Sequence, residues 1–251
     1  MLIRQIDLAV VVAAMLIGAG AVTSSNAAPI VLSDPDPSTA SGNWAVAVDA
    51  GSPASGLYVT GIGNGYQRYD ASGFLIHGFP HSEAPGVAWG VGERFTVQTV
   101  TPSVDGAIGT VDYSMDVRKG SPDGARVALF LIQDGNYFRS AFETLPAGPG
   151  APLTTIGDTG LLASDFGQFS SGLGQDGSAN FASNPDFSAL GSEISFGYLA
   201  HYDSSINDPA AGGVAYLLTD NWSATVNTVP EPASIILLGL GGLAIRRRVA
   251  I

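Results

Sequence analysis

Polar and hydrophobic residues alternate without a break from residue 110 to 118. Val111, Tyr113, Met115 and Val117 fall on one face, and Thr110, Asp112, Ser114, Asp116 and Arg118 on the other. A period of two predicts an antiparallel strand with one face buried. The stretch 126–132 is apolar after its first residue and suits a central strand covered on both faces. Asp134-Gly135 follows it, then Asn136-Tyr137-Phe138-Arg139, and an Asp-Gly pair between two such runs predicts a hairpin. Asn64-Gly65, Asp105-Gly106 and Asp123-Gly124 mark further turns. Other strands are expected over 44–48, 57–62, 74–77, 94–101, 194–199, 214–218 and 222–226, and no segment between 28 and 228 sustains a helical period. The pattern predicts an all-β fold, an antiparallel two-sheet sandwich or jelly roll.

Residues 146–192 break this rhythm. They are rich in Gly, Ser, Ala, Pro and Asp, with Phe166, Phe169, Phe181 and Phe187 scattered among them. The expectation is a long surface excursion pinned by its phenylalanines, with Leu161-Leu162 adding a strand; the functional alternative is a ligand-binding rim.

The two ends follow a different logic. Arg4 precedes an apolar run from Leu8 to Ala21, and Ser25 and Ala27 stand at small-residue positions before Ala28-Pro29. This predicts a secretory signal helix over 1–27, cut after Ala27 in preference to Ala28, where Pro29 would adjoin the cut. At the other end, Pro230-Glu231-Pro232 precedes an apolar stretch 233–245 and then Arg246-Arg247-Arg248. The prolines cannot sit inside a helix and fix its start. A short hydrophobic helix over 233–245 would rise only about 20 Å against a hydrocarbon core of about 30 Å. The arginines favour the cytoplasmic side, which puts the bulk of the chain outside and agrees with the N-terminal signal. The expected organisation is a signal peptide 1–27, a β-sandwich ectodomain 28–228 and a tail 229–251.

Those C-terminal residues resemble the PEP-CTERM sorting signal of Gram-negative bacteria: the Pro230-Glu231-Pro232 motif, a short Gly-containing apolar helix and the terminal basic stop Arg246, Arg247, Arg248. The resemblance implies processing near the motif by an exosortase, a membrane protease or transpeptidase. It also implies transient anchoring in the inner membrane, then release to the cell surface or extracellular matrix and association with exopolysaccharide. A second resemblance covers only the later half of the domain. Asn184-Pro185-Asp186-Phe187-Ser188, Ile194-Ser195-Phe196-Gly197-Tyr198 and Asp220-Asn221-Trp222 are similar to ectodomains of PEP-CTERM proteins that look like concanavalin or laminin-G sandwiches. It implies that Trp222 opens the last strand and packs inward.

Composition narrows the function. Charged residues make up 13% of the chain, so the polar surface must come largely from Ser, Thr, Asn, Gln and Gly. Between 28 and 228 there are 20 acids against 6 bases, a balance of 6 − 20 = −14. Such a domain repels nucleic acid and anionic headgroups. With no Cys, disulfides, thiolate zinc sites and cysteine catalysis are excluded.

Candidate chemistry is sparse. His77 and His81 have the spacing of helical zinc ligands, but Pro80 breaks any helix between them and no Glu completes the motif. The surroundings of Ser170 and Ser195 form no nucleophile elbow, and Gly61–Gly65 lacks a phosphate-loop spacing. Glu83, Glu93, Glu143 and Glu193 include no evident glycosidase pair. No catalytic, cofactor or metal residues are assigned. If a cation binds, Ca²⁺ suits the oxygens of Asp203, Asn207, Asp208, Asp220 and Asn221. Tyr58, Tyr66, Trp89, Tyr137 and Tyr202 flank turns and are candidates for stacking on sugars. The sequence therefore predicts a non-enzymatic surface protein, structural or adhesive within an extracellular polysaccharide layer. The alternatives are a carbohydrate-binding module and a glycan-active hydrolase.

Overall fold

The computed structural model describes residues 28–35, 42–50, 67–71, 74–81, 88–119, 125–145, 152–169, 179–203 and 213–229. One compact unit spans Ala28–Thr228. The expected strand 57–62, the signal 1–27 and the tail beyond Val229 lie outside the described residues.

Thirteen strands follow in chain order among the described residues: β1 (Ile30–Asp34), β2 (Trp44–Ala50), β3 (Gln67–Ala71), β4 (Phe74–His81), β5 (Ala88–Phe95), β6 (Ala107–Lys119), β7 (Ala125–Gln133), β8 (Asn136–Arg139), β9 (Glu143–Thr144), β10 (Thr154–Leu161), β11 (Gly167–Phe169), β12 (Ile194–Asp203) and β13 (Gly213–Val229). Sheet 1 runs β10-β6-β13-β4-β3, with β1 also on β13. Sheet 2 runs β11-β8-β7-β12-β5-β2, with β9 also on β7. The pairings between strands are antiparallel. The fold is the two-sheet antiparallel sandwich that the alternation predicts.

The reason is visible on β6. Val111, Tyr113, Met115 and Val117 are buried against sheet 2, while Asp112, Ser114 and Asp116 stay partly exposed. From the opposite sheet, β12 contributes Phe196, Tyr198, Ala200 and Tyr202 and β7 contributes Val127, Leu129 and Leu131. At the centre, Trp44 meets Trp222 edge-on at 5.0 Å between ring centroids, with Phe95 5.3 Å from Trp222 and Tyr198 5.2 Å from Trp44. Buried polar bonds tie the layers. Trp44 Nε1 donates to Asp34 Oδ2 at 2.8 Å, and the Tyr198 and Thr219 hydroxyls are 3.0 Å apart.

The hairpin at Asp134-Gly135 has φ of 51° and 74°, the left-handed pair that a two-residue turn of type I′ requires. The expected strands 214–218 and 222–226 are one strand, β13, so Trp222 packs inward (1% exposed) but does not open it. The expected strand 94–101 is corrected. The strand is β5 and ends at Phe95, leaving Val100 in a single bridge to Ile194 before a one-turn helix, α1 (Pro102–Asp105). Pro102 sits in the first turn of α1, where a missing N–H costs nothing, and Gly106 at φ 98° ends it. The excursion 146–192 is also corrected, because β10 pairs with β6 along Thr154–Leu161 and β11 pairs with β8. Its pins are Phe166 and Phe187, buried and 5.7 Å apart, and Gln133, whose amide donates to the Asp186 and Ser192 carbonyls.

Candidate functional site

Ile30 pairs with Val226 at the start of β1 and the end of β13. Asn227 donates to Thr110 and Asp112, which sets the end of β13 beside the start of β6. The chain therefore enters and leaves the sandwich at one end. Ala28 is exposed, whereas Ala27, Pro230, Glu231, Pro232 and Arg246–Arg248 lie outside the described residues. Among the described residues no helix is long and apolar enough to cross a membrane.

The outer faces of the two sheets differ in chemistry. Sheet 1 carries a hydroxyl, amide and carboxylate ladder: Ser114 and Ser223 are 3.0 Å apart, and Asn221 donates to Asp116 at 2.8 Å. Sheet 2 carries a second apolar cluster, Phe130 and Leu199 with Ile132, Tyr137, Phe142 and Phe169 packed against them. The Phe130, Tyr137 and Phe169 rings lie 6.0–6.1 Å from one another. Beside them Phe142 carries two guanidinium groups, Arg139 at 4.1 Å and Arg126 at 4.6 Å from its centroid, with the His201 ring at 4.9 Å. In a domain with 6 bases, this gathers two of them on one aromatic ring, where cation–π attraction substitutes for part of their hydration.

At the edge where β10 meets the turn after β11 there is a recess of about 350 Å³. Asp158, Thr159, Leu161, Ser164, Asp165 and Phe181 line it. Behind β10, Tyr113 is buried, and its hydroxyl donates to Glu143 Oε1 at 3.4 Å. Burial, then the Glu143 carboxylate, pushes the Tyr113 phenol well above its ordinary range.

The residues singled out in the sequence separate. His77 and His81 fall on β4, in extended chain, and His201 on β12 beside Arg126, its Nδ1 3.4 Å from Nη2. Glu93 is buried on β5, Glu143 sits on β9, Glu193 is exposed before β12, and Glu83 lies outside the described residues. Ser195 is buried on β12, and Ser170 and residues 61–65 lie outside. Of the residues weighed for Ca²⁺, Asp203 ends β12, Asp220 and Asn221 lie in β13, and Asn207 and Asp208 lie outside. Among the described residues no three His, Asp or Glu side chains come together as metal donors. Of the stacking candidates, Tyr137 is half-buried on the outer face of sheet 2, Tyr202 is core, Trp89 lies on β5, and Tyr58 and Tyr66 lie outside. Phe130 and Phe142 are not distinguishable from core residues in the sequence, whereas Phe169 and Phe181 belong to the stretch expected to form a surface excursion or a ligand rim.

Residues 228–248 match the model of the PEP-CTERM protein-sorting motif. The chain carries a PEP-CTERM sorting signal. The PEP-CTERM match begins at Thr228, inside the last two residues of β13. It implies export, exosortase processing and surface display. No curated protein matches the chain. Among solved structures, the chain is similar to a family 11 carbohydrate-binding module of the cellulosomal cellulase Lic26A-Cel5E of Clostridium thermocellum, at 12% identity and TM-score 0.39 over 82% of this chain and 99% of that one. It is similar to an exo-β-agarase at 13% identity and TM-score 0.38, over 83% of this chain and 26% of that one. It is also similar to TmCBM61 in complex with β-1,4-galactotriose, at 8% identity and TM-score 0.25 over 80% and 90%. At these values the likeness assigns no ligand and no activity to this chain.

Proposed function

We propose that the chain is an exported bacterial surface protein, cut after Ala27, held transiently in the inner membrane by residues 233–245 and processed near Pro230-Glu231-Pro232 by an exosortase-type membrane protease. The sandwich is then displayed as a structural or adhesive, non-enzymatic component of the extracellular polysaccharide layer. One observation carries the reading: the motif begins where β13 ends. A cut near Pro230 would release the sandwich with every described strand intact. Intact mass of the protein recovered from the cell surface tests this. The expected species begins at Ala28 and lacks Arg246–Arg248. A surface species that keeps those arginines contradicts processing, and a cytoplasmic species with residues 1–27 retained overturns export.

A second reading, a carbohydrate-binding module, is favoured by the half-buried rings of Tyr137 and Phe169, which pack over the buried Phe130 on sheet 2. A panel of soluble polysaccharides tests it, and absence of binding to all of them would sink it.

A further inference from the structure

We propose that the recess between β10 and Phe181 is a subsite for one neutral sugar ring or two. The inference rests on the reading above for the source of the sugar, since it supposes that the displayed sandwich meets polysaccharide. The geometry of the recess stands independently.

Its volume, about 350 Å³, lies at the small end of the range for ligand pockets, about 300–1,000 Å³. One wall is an aromatic ring that the fold leaves out. Phe166 and Phe187, from the same stretch of chain, are 0% and 6% exposed, whereas Phe181 is 44% exposed. The ring is nevertheless held. It packs on Gly167, where any Cβ would stand 3.0 Å from two ring carbons. Its backbone is fixed on both sides, by Gln168 bonded to Asn180 and Ser183 and by Asn184 bonded to the Phe166 and Phe181 carbonyls. A surface ring already ordered before binding loses little entropy when a ligand covers it.

The opposite rim is polar. Thr159 and Ser164 supply hydroxyls, and Asp158 and Asp165 supply carboxylates. Each carboxylate is oriented by a backbone N–H through one oxygen, Asp158 from Thr159 at 2.8 Å and Asp165 from Leu162 at 2.8 Å. That leaves the second oxygen of each as an acceptor for a charge-assisted bond. A ligand matching both walls needs an apolar face and several hydroxyl donors, which describes a pyranose lying on the ring. Two carboxylates in a domain of balance −14 disfavour uronates and phosphorylated sugars. The Arg139 guanidinium already lies 5.7 Å from the centroid of the Phe181 ring, so the ring's attraction for a cation is partly taken up within the protein.

The test uses the full-length chain in a detergent without a sugar headgroup, by affinity electrophoresis in gels holding a neutral β-glucan, galactan or mannan, or alginate. At least one neutral polymer should retard the protein, and alginate should not. Phe181→Ala should weaken retardation at least tenfold, Phe181→Trp should keep it, and Ser164→Ala should weaken it several-fold, with thermal midpoints confirming that each variant folds. Retardation unchanged in Phe181→Ala overturns the subsite. If Tyr137→Ala abolishes binding instead, the sugar lies on the outer face of sheet 2, and the polysaccharide reading survives without the recess. Failure of every neutral polymer to retard the wild type also overturns the subsite, while the intact mass of the surface species reads the sorting hypothesis separately.

Discussion

Asn221 donates its side-chain amide to Asp116 Oδ2 at 2.8 Å, from the middle of β13 and with a left-handed φ of 47°. It stands where β13 changes neighbour: Thr219 still pairs with Leu75 of β4, and Trp222 already pairs with Asp34 of β1. Left-handed backbone costs a residue with a Cβ about 1–2 kcal/mol, less for Asn, whose short amide bonds locally. Asn221→Ala should therefore destabilise the sandwich by about 2 kcal/mol. Asn221→Gly, which relieves the backbone and loses only the amide, should cost about 1 kcal/mol. Urea unfolding followed by tryptophan fluorescence measures both. Equal costs would mean that the left-handed turn contributes nothing.

Much of this fold was legible because strands that bury one face write their period into the chain. The alternation 111–117, the Asp134-Gly135 turn and the apolar run 126–132 each named their element. What was hidden has physical reasons. β10 is TTIGDTGL, an edge strand with mostly exposed residues, so no apolar face announces it. Pairing along β6 alone specifies it. β13 was read as two strands because Thr219, Asp220 and Asn221 interrupt its pattern where the partner changes. The tail was legible as a signal because its chemistry is local. The recess was not, because Asp158, Ser164 and Phe181 come together only through pairing of β10 and β11 with different sheets.

Trp44 and Trp222 touch, but their indole N–H groups differ. That of Trp44 donates to Asp34, and that of Trp222, equally buried, has no acceptor among the described residues. Both substitutions to Phe lose similar packing. Trp44→Phe also takes a charge-assisted bond from a buried carboxylate, worth about 1.5–3 kcal/mol. It should be the more costly by about 1.5–3 kcal/mol. Equilibrium unfolding of the two variants measures the difference, and a larger loss at Trp222 would contradict the account.

Tyr113 makes stability depend on alkaline pH. Its folded phenol is raised above the unfolded value, about 10, by burial and by Glu143. The unfolded state then loses its proton first. The contribution is complete below about pH 10 and is lost as pH rises toward the folded value, at about 1.4 kcal/mol per pH unit. Tyr113→Phe should flatten that slope by one group. Unfolding free energies between pH 9 and 12 in wild type and variant test it, and identical slopes would show that Tyr113 does not titrate late.

Gly157 and Gly160 separate two reasons for glycine on the same strand. A Cβ on Gly157 would run into the Tyr113 carbonyl and stand 2.9 Å from Ser114 Cα, both backbone of β6. Nothing flexible can yield there, so Gly157→Ala must push β10 away from β6. Gly160 has open space but a φ of 72°, so Gly160→Ala is strained only in its own backbone. Gly157→Ala should cost about 1–3 kcal/mol, as overpacking does, and should speed amide exchange along Thr154–Leu161. Gly160→Ala should cost about 1–2 kcal/mol with exchange altered only next to it. Exchange rates read by mass spectrometry distinguish the two. Protection of β10 unchanged in Gly157→Ala would mean that β10 does not lie on β6 in this register, and the wall of the recess would go with it.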